Sequence, residues 1–307
     1  MTFMRRPRVA RLVARSMQAG MALAAGRATR RAHARLPEYP RRAGSLTVPT
    51  SHGPARVTVH RPEPGPRTPA VHVNLHGGGF VLGWTDMDDP LCRVLAAEAG
   101  AVVLNVDYAV APQHPFPTPP HQAYEVVRWA AAHGGDHGWD GTRLTVGGQS
   151  AGGSLAAAAA RLDLEGGGSL VTLQVLHYPS LDLTVRTEDK PSPVARPMLR
   201  PWMGEVFSTC YLPGPEAGRD RLASPAAPTD TADLTGIAPA VVVVAEHDVL
   251  REEGVRYAER LERVGALVAL HEVRGRDHGY DVGHDDAARE TYRVIAGHLA
   301  RATGPAA

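Results

Sequence analysis

One serine is set apart by its neighbours. In Gly148-Gln149-Ser150-Ala151-Gly152 a hydroxyl side chain stands between a glutamine and an alanine, with glycine two positions away on each side. An apolar run at 144–146 precedes the motif and an alanine-rich stretch at 151–163 follows it, so the spacing predicts strand, sharp turn, helix. A serine on such a turn projects its Oγ above the sheet in strained backbone geometry, and the glycines stand where side chains would collide. The helix behind it aims its first amides at a forming oxyanion. The chemistry this arrangement suits is nucleophilic attack by Ser150. A glycine-rich turn before an ordinary helix has the same local signature, so the motif alone leaves a structural reading open.

A second glycine cluster lies upstream. His76-Gly77-Gly78-Gly79-Phe80 follows a short apolar run at 71–75. Successive glycines let a backbone approach a substrate and turn its N–H groups inward. Gly78 and Gly79, with the amide of Ala151 next to the serine, are the candidate oxyanion donors, each typically worth about 10²–10³ in rate. The competing readings are a flexible loop and a phosphate cradle. The phosphate reading lacks the Gly-Lys-Ser/Thr that should follow.

A serine nucleophile of this kind needs an acid and then a base further along the chain. His271, His278, His284 and His298 are available near the C-terminus. His278, in Arg276-Asp277-His278-Gly279-Tyr280, falls in a predicted loop and is the candidate base, with His284 the runner-up. His271 falls in a predicted strand and His298 in a predicted helix, where a packing or surface role suits them. The valine-rich run 239–246 ends at His247-Asp248-Val249-Leu250, which makes Asp248 the candidate acid. Glu246 falls on the strand, Glu252 opens a helix, and Asp277 adjoins the base too closely in sequence to orient its ring. His278, His284, Asp281 and Asp285 also form a cluster that a metal could use, but the loop has a better use in the triad, and no metal is expected.

Elements must position these residues. After residue 44 strands and helices alternate: a hairpin at 46–48 and 56–60, strands at 71–75, 101–106, 144–146 and 171–177, and helices at 88–99, 121–133 and 151–163. A proline-rich interruption at 181–236 carries one predicted helix, 201–211. The alternation resumes with strand 239–246, helix 252–264, strand 267–272 and helix 285–301. This order implies a mostly parallel sheet covered on both faces.

The 307 residues, 43% of them apolar, suffice for one large domain. A formal net charge of +1 argues against a dedicated nucleic-acid binder. The average hides an asymmetry: residues 1–42 hold eleven arginines against one acid, Glu38, while the remainder carries twenty-two basic and thirty-one acidic residues. Val9, Leu12, Val13, Ser16, Met17, Met21 and Leu23 fall near helical spacing. A helix docked on the acidic body is favoured over a membrane or nucleic-acid arm. No stretch has the apolar length of a membrane span, and the candidate secretory core at 19–25 is short and broken by Gly20, so a cytoplasmic protein is expected. Cys92 and Cys210 have no metal or redox spacing and are expected as buried thiols.

Taken together, these residues resemble the hormone-sensitive lipase family of α/β-hydrolases, particularly its bacterial esterases. His76–Phe80 is similar to the family's oxyanion motif. Asp107-Tyr108-Ala109-Val110-Ala111-Pro112-Gln113-His114-Pro115-Phe116-Pro117 resembles its Asp-Tyr-Arg-Leu-Ala-Pro-Glu-His-Pro-Phe-Pro segment. Residues 148–153 resemble Gly-Asp-Ser-Ala-Gly-Gly, and 248–254 resemble Asp-Pro-Leu-Arg-Asp-Glu-Gly. The resemblance spans residues 70–300. It implies an α/β-hydrolase fold with eight strands, helices on both faces and a helical lid. Residues 1–44 would form an N-terminal lid segment and 45–307 the catalytic domain, with a lid insertion at about 181–222. It also implies hydrolysis of carboxylic esters with short or medium acyl chains, and no cofactor. The expected partner is a small-molecule ester, and a homodimer is allowed. Phe80, Trp84, Trp202, Met203 and Phe207 are candidate pocket or lid residues, with core packing as the alternative for each. Gln149, Gln113 and Val249 depart from the family's acid, Glu and Pro, and the two glutamines remove charges expected near the site. Two other functions stay open: a lyase or acyltransferase using the same pocket, and a ligand-binding protein that has lost turnover.

Overall fold

A computed structural model describes residues 2–65 and 67–304 of the chain. Its strands are β1 (Ala43–Val48), β2 (Ala55–His60), β3 (Ala70–Leu75), β4 (Val102–Asp107), β5 (Asp140–Gln149), β6 (Val171–His177), β7 (Ala240–Ala245) and β8 (Leu267–Val273). They form one sheet in the order β1-β2-β4-β3-β5-β6-β7-β8. β1 and β2 pair antiparallel, as do β2 and β4, and every later pairing is parallel.

Side chains alternate across the strands and feed two cores. In β7, Val242 and Val244 join the cluster that holds Val71, Val73, Leu144, Val146 and Leu155, while Val241 and Val243 join a second cluster with Val103, Leu173 and Val175. The first core is roofed by α3 (Thr118–Ala132), α5 (Ala151–Glu165) and α7 (Arg251–Arg263). The second is closed by α2 (Asp89–Ala99) and α8 (Asp285–Thr303), through Leu91, Leu95, Tyr292, Ile295 and Leu299. Both faces being covered, all six residues of β3 and of β7 are buried. The single-turn helix α4 (Gly134–His137) leads into β5.

Two helices lie outside this sandwich. α1 (Pro7–Ala34) packs against α6 (Pro201–Tyr211), the principal helix between β6 and β7. The face α1 presents is only part of the apolar stripe expected from its spacing, with Val13 and Met17 packed against the first core. Leu12 and Leu23 stand 67% and 91% exposed, while Ala10, Ala14 and Ala32 are buried. Small residues bring the helix close, and polar contacts fix it. Gln18 Nε2 donates to the carbonyls of Val81 (2.8 Å) and Ala111 (3.1 Å), and the Gln113 amide donates to Gln18 Oε1 at 2.8 Å. Arg5 pairs with Glu205, His33 with Asp86, Arg41 with Asp89 and Arg35 with Asp285, so several basic groups of the N-terminal segment meet the acidic body. Gln113 is thereby placed against α1 and not beside Ser150, contrary to the sequence expectation.

Asp88, just before α2, is buried and accepts a hydrogen bond from Asn74 Nδ2 at 2.9 Å. Burial pushes its carboxyl up from 3.8 to about 8, the Asn74 bond opposing and Asp281 adding to the rise. The folded chain therefore keeps a proton that the unfolded chain releases near 3.8, and stability declines as pH rises from about 4 to about 8. Asp88→Asn removes that cost. Its melting temperature relative to wild type should climb across this window, and a pH-independent difference would contradict the assignment.

Candidate active site

β5 ends at Gln149 and α5 begins at Ala151, which leaves Ser150 alone on the turn, at φ 54° and ψ −116°. A non-glycine residue in this conformation is strained and must be held by its surroundings. Its N–H donates to the His177 carbonyl at 2.9 Å, which ties the turn to the end of β6. A Cβ on Gly148 or Gly152 would drive into the carbonyl oxygen of Leu75, and one on Gly153 would meet Pro179 at 2.8 Å. These glycines are dictated by contact, and the contact forces Ser150 outward.

The loop after β3 approaches from the other side. Gly78, Gly79 and Phe80 have φ of 119°, 62° and 63°. The carbonyls of Gly78 and Phe80 turn into the protein: Gly78 O accepts from Val81 (3.1 Å) and Leu82 (2.9 Å), and Phe80 O accepts from Ala111 at 2.8 Å. Among the described residues the amides of Gly78, Gly79 and Ala151 donate to no backbone carbonyl. His76 is buried and stacks on Tyr108 with ring centroids 4.2 Å apart, while Tyr108 donates its hydroxyl proton to the His76 carbonyl at 2.9 Å. Burial holds the His76 imidazole below its ordinary proton affinity, so it is a neutral wedge under the loop.

His278 lies between Ser150 and Asp248. Its Nε2 is 2.9 Å from Ser150 Oγ and its Nδ1 is 2.7 Å from Asp248 Oδ2. The other oxygen of Asp248 accepts the Leu250 N–H at 2.9 Å, which fixes the carboxylate on the loop after β7. Burial works against the charged form of His278, but Asp248, by charge and by hydrogen bond, with Asp277 and Asp281 behind it, raises its pKa above 6.5. Asp277 binds backbone, accepting the N–H groups of His278 and Met198 at 2.7 Å each.

The other candidates lie apart. His271 and His298 meet each other at 2.9 Å, and His284 is exposed at the head of α8. Phe80, Phe207 and Met203 line a cavity of about 740 Å³ that reaches Ser150 and His278. Phe207 stands directly over Gly79, where a Cβ would collide with its ring. Trp84 and Trp202 are not in that lining: Trp84 sits ahead of a short 3-10 helix, and Trp202 is 38% exposed at the start of α6. Gln149 is on the cavity wall. Tyr178, missed from sequence, lines the cavity one residue beyond β6. The general rule that ligands meet parallel sheets outside the carboxyl ends of the strands would have found it.

A family model described as the alpha/beta hydrolase fold matches residues 72–282, and the chain belongs to that family, the hormone-sensitive lipase-like one. The chain is 36% identical over 252 residues to Esterase LipI of Mycobacterium tuberculosis, a match covering 80% of this chain and 77% of the relative. It is similar in structure to an esterase of Pyrobaculum calidifontis, with 34% identity, a TM-score of 0.84, and coverage of 94% of this chain and 92% of the other. EstE1, a thermostable carboxylesterase cloned from a metagenomic library, aligns at 33% identity with a TM-score of 0.83, covering 97% and 98%. With these relatives, the chain is a carboxylic ester hydrolase. Among the described residues no helix is long and apolar enough to cross a membrane.

The charges around His278 predict its titration. In a nuclear magnetic resonance titration its imidazole should change charge above pH 6.5, and Asp248→Asn should lower the midpoint. A wild-type midpoint below 6.5 would contradict this account of the site.

Proposed function

We propose that Ser150 is the nucleophile of this ester hydrolase and that the reaction runs through an acyl-enzyme. The observation that carries the reading is the row Ser150 Oγ, His278, Asp248, with spacings of 2.9 and 2.7 Å, at the wall of the cavity. Oγ attacks the ester carbonyl as His278 Nε2 takes its proton, and Asp248 holds Nδ1–H and stabilises the imidazolium. The negative charge on the carbonyl oxygen is held by the amides of Gly78, Gly79 and Ala151. His278 passes the proton to the departing alcohol, and water, deprotonated by the same imidazole, releases the acid.

A cavity of about 740 Å³ with Met87, Leu183, Met198, Met203, Phe207 and Val282 on its wall supports esters of short or medium acyl chain. Arg5 and Pro7 of the N-terminal segment line it with residues 183–187 and α6, which supports a lid built from both segments. A homodimer would use the open edge of the sheet at β8, where Val268 and Leu270 are exposed.

The test is hydrolysis of a 4-nitrophenyl ester series of increasing acyl length. Wild type should release nitrophenol with a pre-steady-state burst, and kcat should peak at short to medium chains. Ser150→Ala should lose about 10⁴-fold or more in kcat/KM. Full turnover by the variant would sink the nucleophile assignment, and turnover only of non-ester substrates would favour a lyase.

A further inference from the structure

Behind the catalytic row lies a buried carboxylate that acyl transfer does not itself use. Asp281, three residues beyond His278, is 2% exposed. Its Oδ1 accepts the hydroxyl of Tyr178 at 2.6 Å and its Oδ2 accepts that of Tyr292 at 2.8 Å. One phenol donor on each oxygen is the arrangement an ionised carboxylate takes. The two tyrosines come from different places, Tyr178 from the end of β6 and Tyr292 from α8, so the carboxylate pins the loop of His278 to both.

Tyr178 stands between this carboxylate and the base. Its ring meets the His278 imidazole edge-on, centroids 4.9 Å apart at 65°, while its hydroxyl is spent on Asp281. It has a backbone φ of 35°, a left-handed conformation that a tyrosine adopts only when its surroundings compel it. Its N–H is held by the Val243 carbonyl at 2.7 Å. Strain at a residue touching both the cavity and His278 marks a position set for the site.

Resting on the reading of His278 as the base, we propose that Asp281 is a second positioning carboxylate for it, locked by Tyr178 and Tyr292, whose buried charge stabilises the imidazolium formed during attack. Other groups face the same imidazole. Asp248 comes from the loop after β7, Asp277 from its own loop, His177 from the end of β6 and Tyr178 from just beyond it, and Ser150 from the turn after β5. His177 does not neutralise Asp281: burial drops its pKa to about 4, and its Nε2 is bonded to the Tyr280 hydroxyl at 2.9 Å. Arg35 reaches the Asp281 backbone carbonyl and shares its own charge with Asp285. Asp88, protonated below about pH 8, adds no charge at neutral pH. His278 is therefore the titrating cation left for Asp281 to favour, in an interior where charge carries further than in water.

The experiment compares wild type with Asp281→Asn by the pH dependence of kcat/KM on a 4-nitrophenyl ester and by resonance titration of the His278 imidazole. Loss of the charge should lower the His278 midpoint by about half a pH unit, and the acid limb of kcat/KM should follow. Tyr292→Phe, which keeps the charge and removes one donor, should lower the melting temperature without moving the limb downward. Asp281→Ser, neutral with a hydroxyl that Tyr178 can still bond, reads the same shift where the amide variant does not fold. An unmoved His278 midpoint in the neutral variants overturns the proposal, as does an equal downward shift in Tyr292→Phe. A midpoint that falls while the acid limb stays put overturns it too, by showing that His278 is not the base; the imidazole signal separates that failure from the first.

Discussion

The carbonyl oxygen of Leu75 leaves no room for a side chain at Gly148 or Gly152. Leu75 is also the last residue of β3, paired in register with Gly148 on β5, and His76 to Phe80 leave directly from it. One close approach therefore sets two things at once. It bends the chain through the strained conformation of Ser150, and it sets the distance between that serine and the glycine loop that lines the cavity with it. A side chain at either glycine would push the end of β3 away and move the amide loop with it. The strain at Ser150 is sustained because β3, the end of β5 and the start of α5 are buried around it.

The covering elements are referenced to the same loop. Phe207 on α6 fits against Gly79 because glycine offers no Cβ there. Gln18 on α1 reads the carbonyls of Val81, just past that loop, and of Ala111. Arg5 and Glu205 join the N-terminal segment to α6 at the cavity rim. Placement of the N-terminal helix, of α6 and of the amide loop is thus one packing problem, and the volume left over is the cavity.

Much of this is legible in the residues. The alternation of strand and helix is plain where both faces of the sheet are buried, as in β3 and β7, because a short apolar run bounded by turns fits little besides a buried strand. The start of β5 is not, since residues 140–143 are polar, and it pairs only with the rim of the sheet near Ala70. In α1 the larger apolar residues mislead in part. Val13 and Met17 pack against the core as their spacing implies, but the fully buried positions are alanines, which periodicity arguments weight little, and Leu12 and Leu23 face outward. Ser150, His278 and Asp248 can be picked from sequence because each falls just beyond a strand end, and they lie together in space. Trp84 and Trp202 stand out by their size, which carries no information about direction, and they fall outside the cavity. Asp281 stands out in the sequence only as a member of a possible metal cluster, and Tyr178 not at all, because their meaning lies in a contact across 103 residues that no local pattern encodes.

The central claim is that Ser150 attacks while the amides of Gly78, Gly79 and Ala151 hold the oxyanion. A crystal structure after reaction with a 4-nitrophenyl alkylphosphonate tests it most directly. The expected result is phosphorus bonded to Ser150 Oγ, one phosphoryl oxygen within hydrogen-bond distance of those three amides, and the alkyl chain in the cavity beside Phe207 and Met203. An adduct on another residue, or a phosphoryl oxygen turned away from the glycine loop, would contradict it.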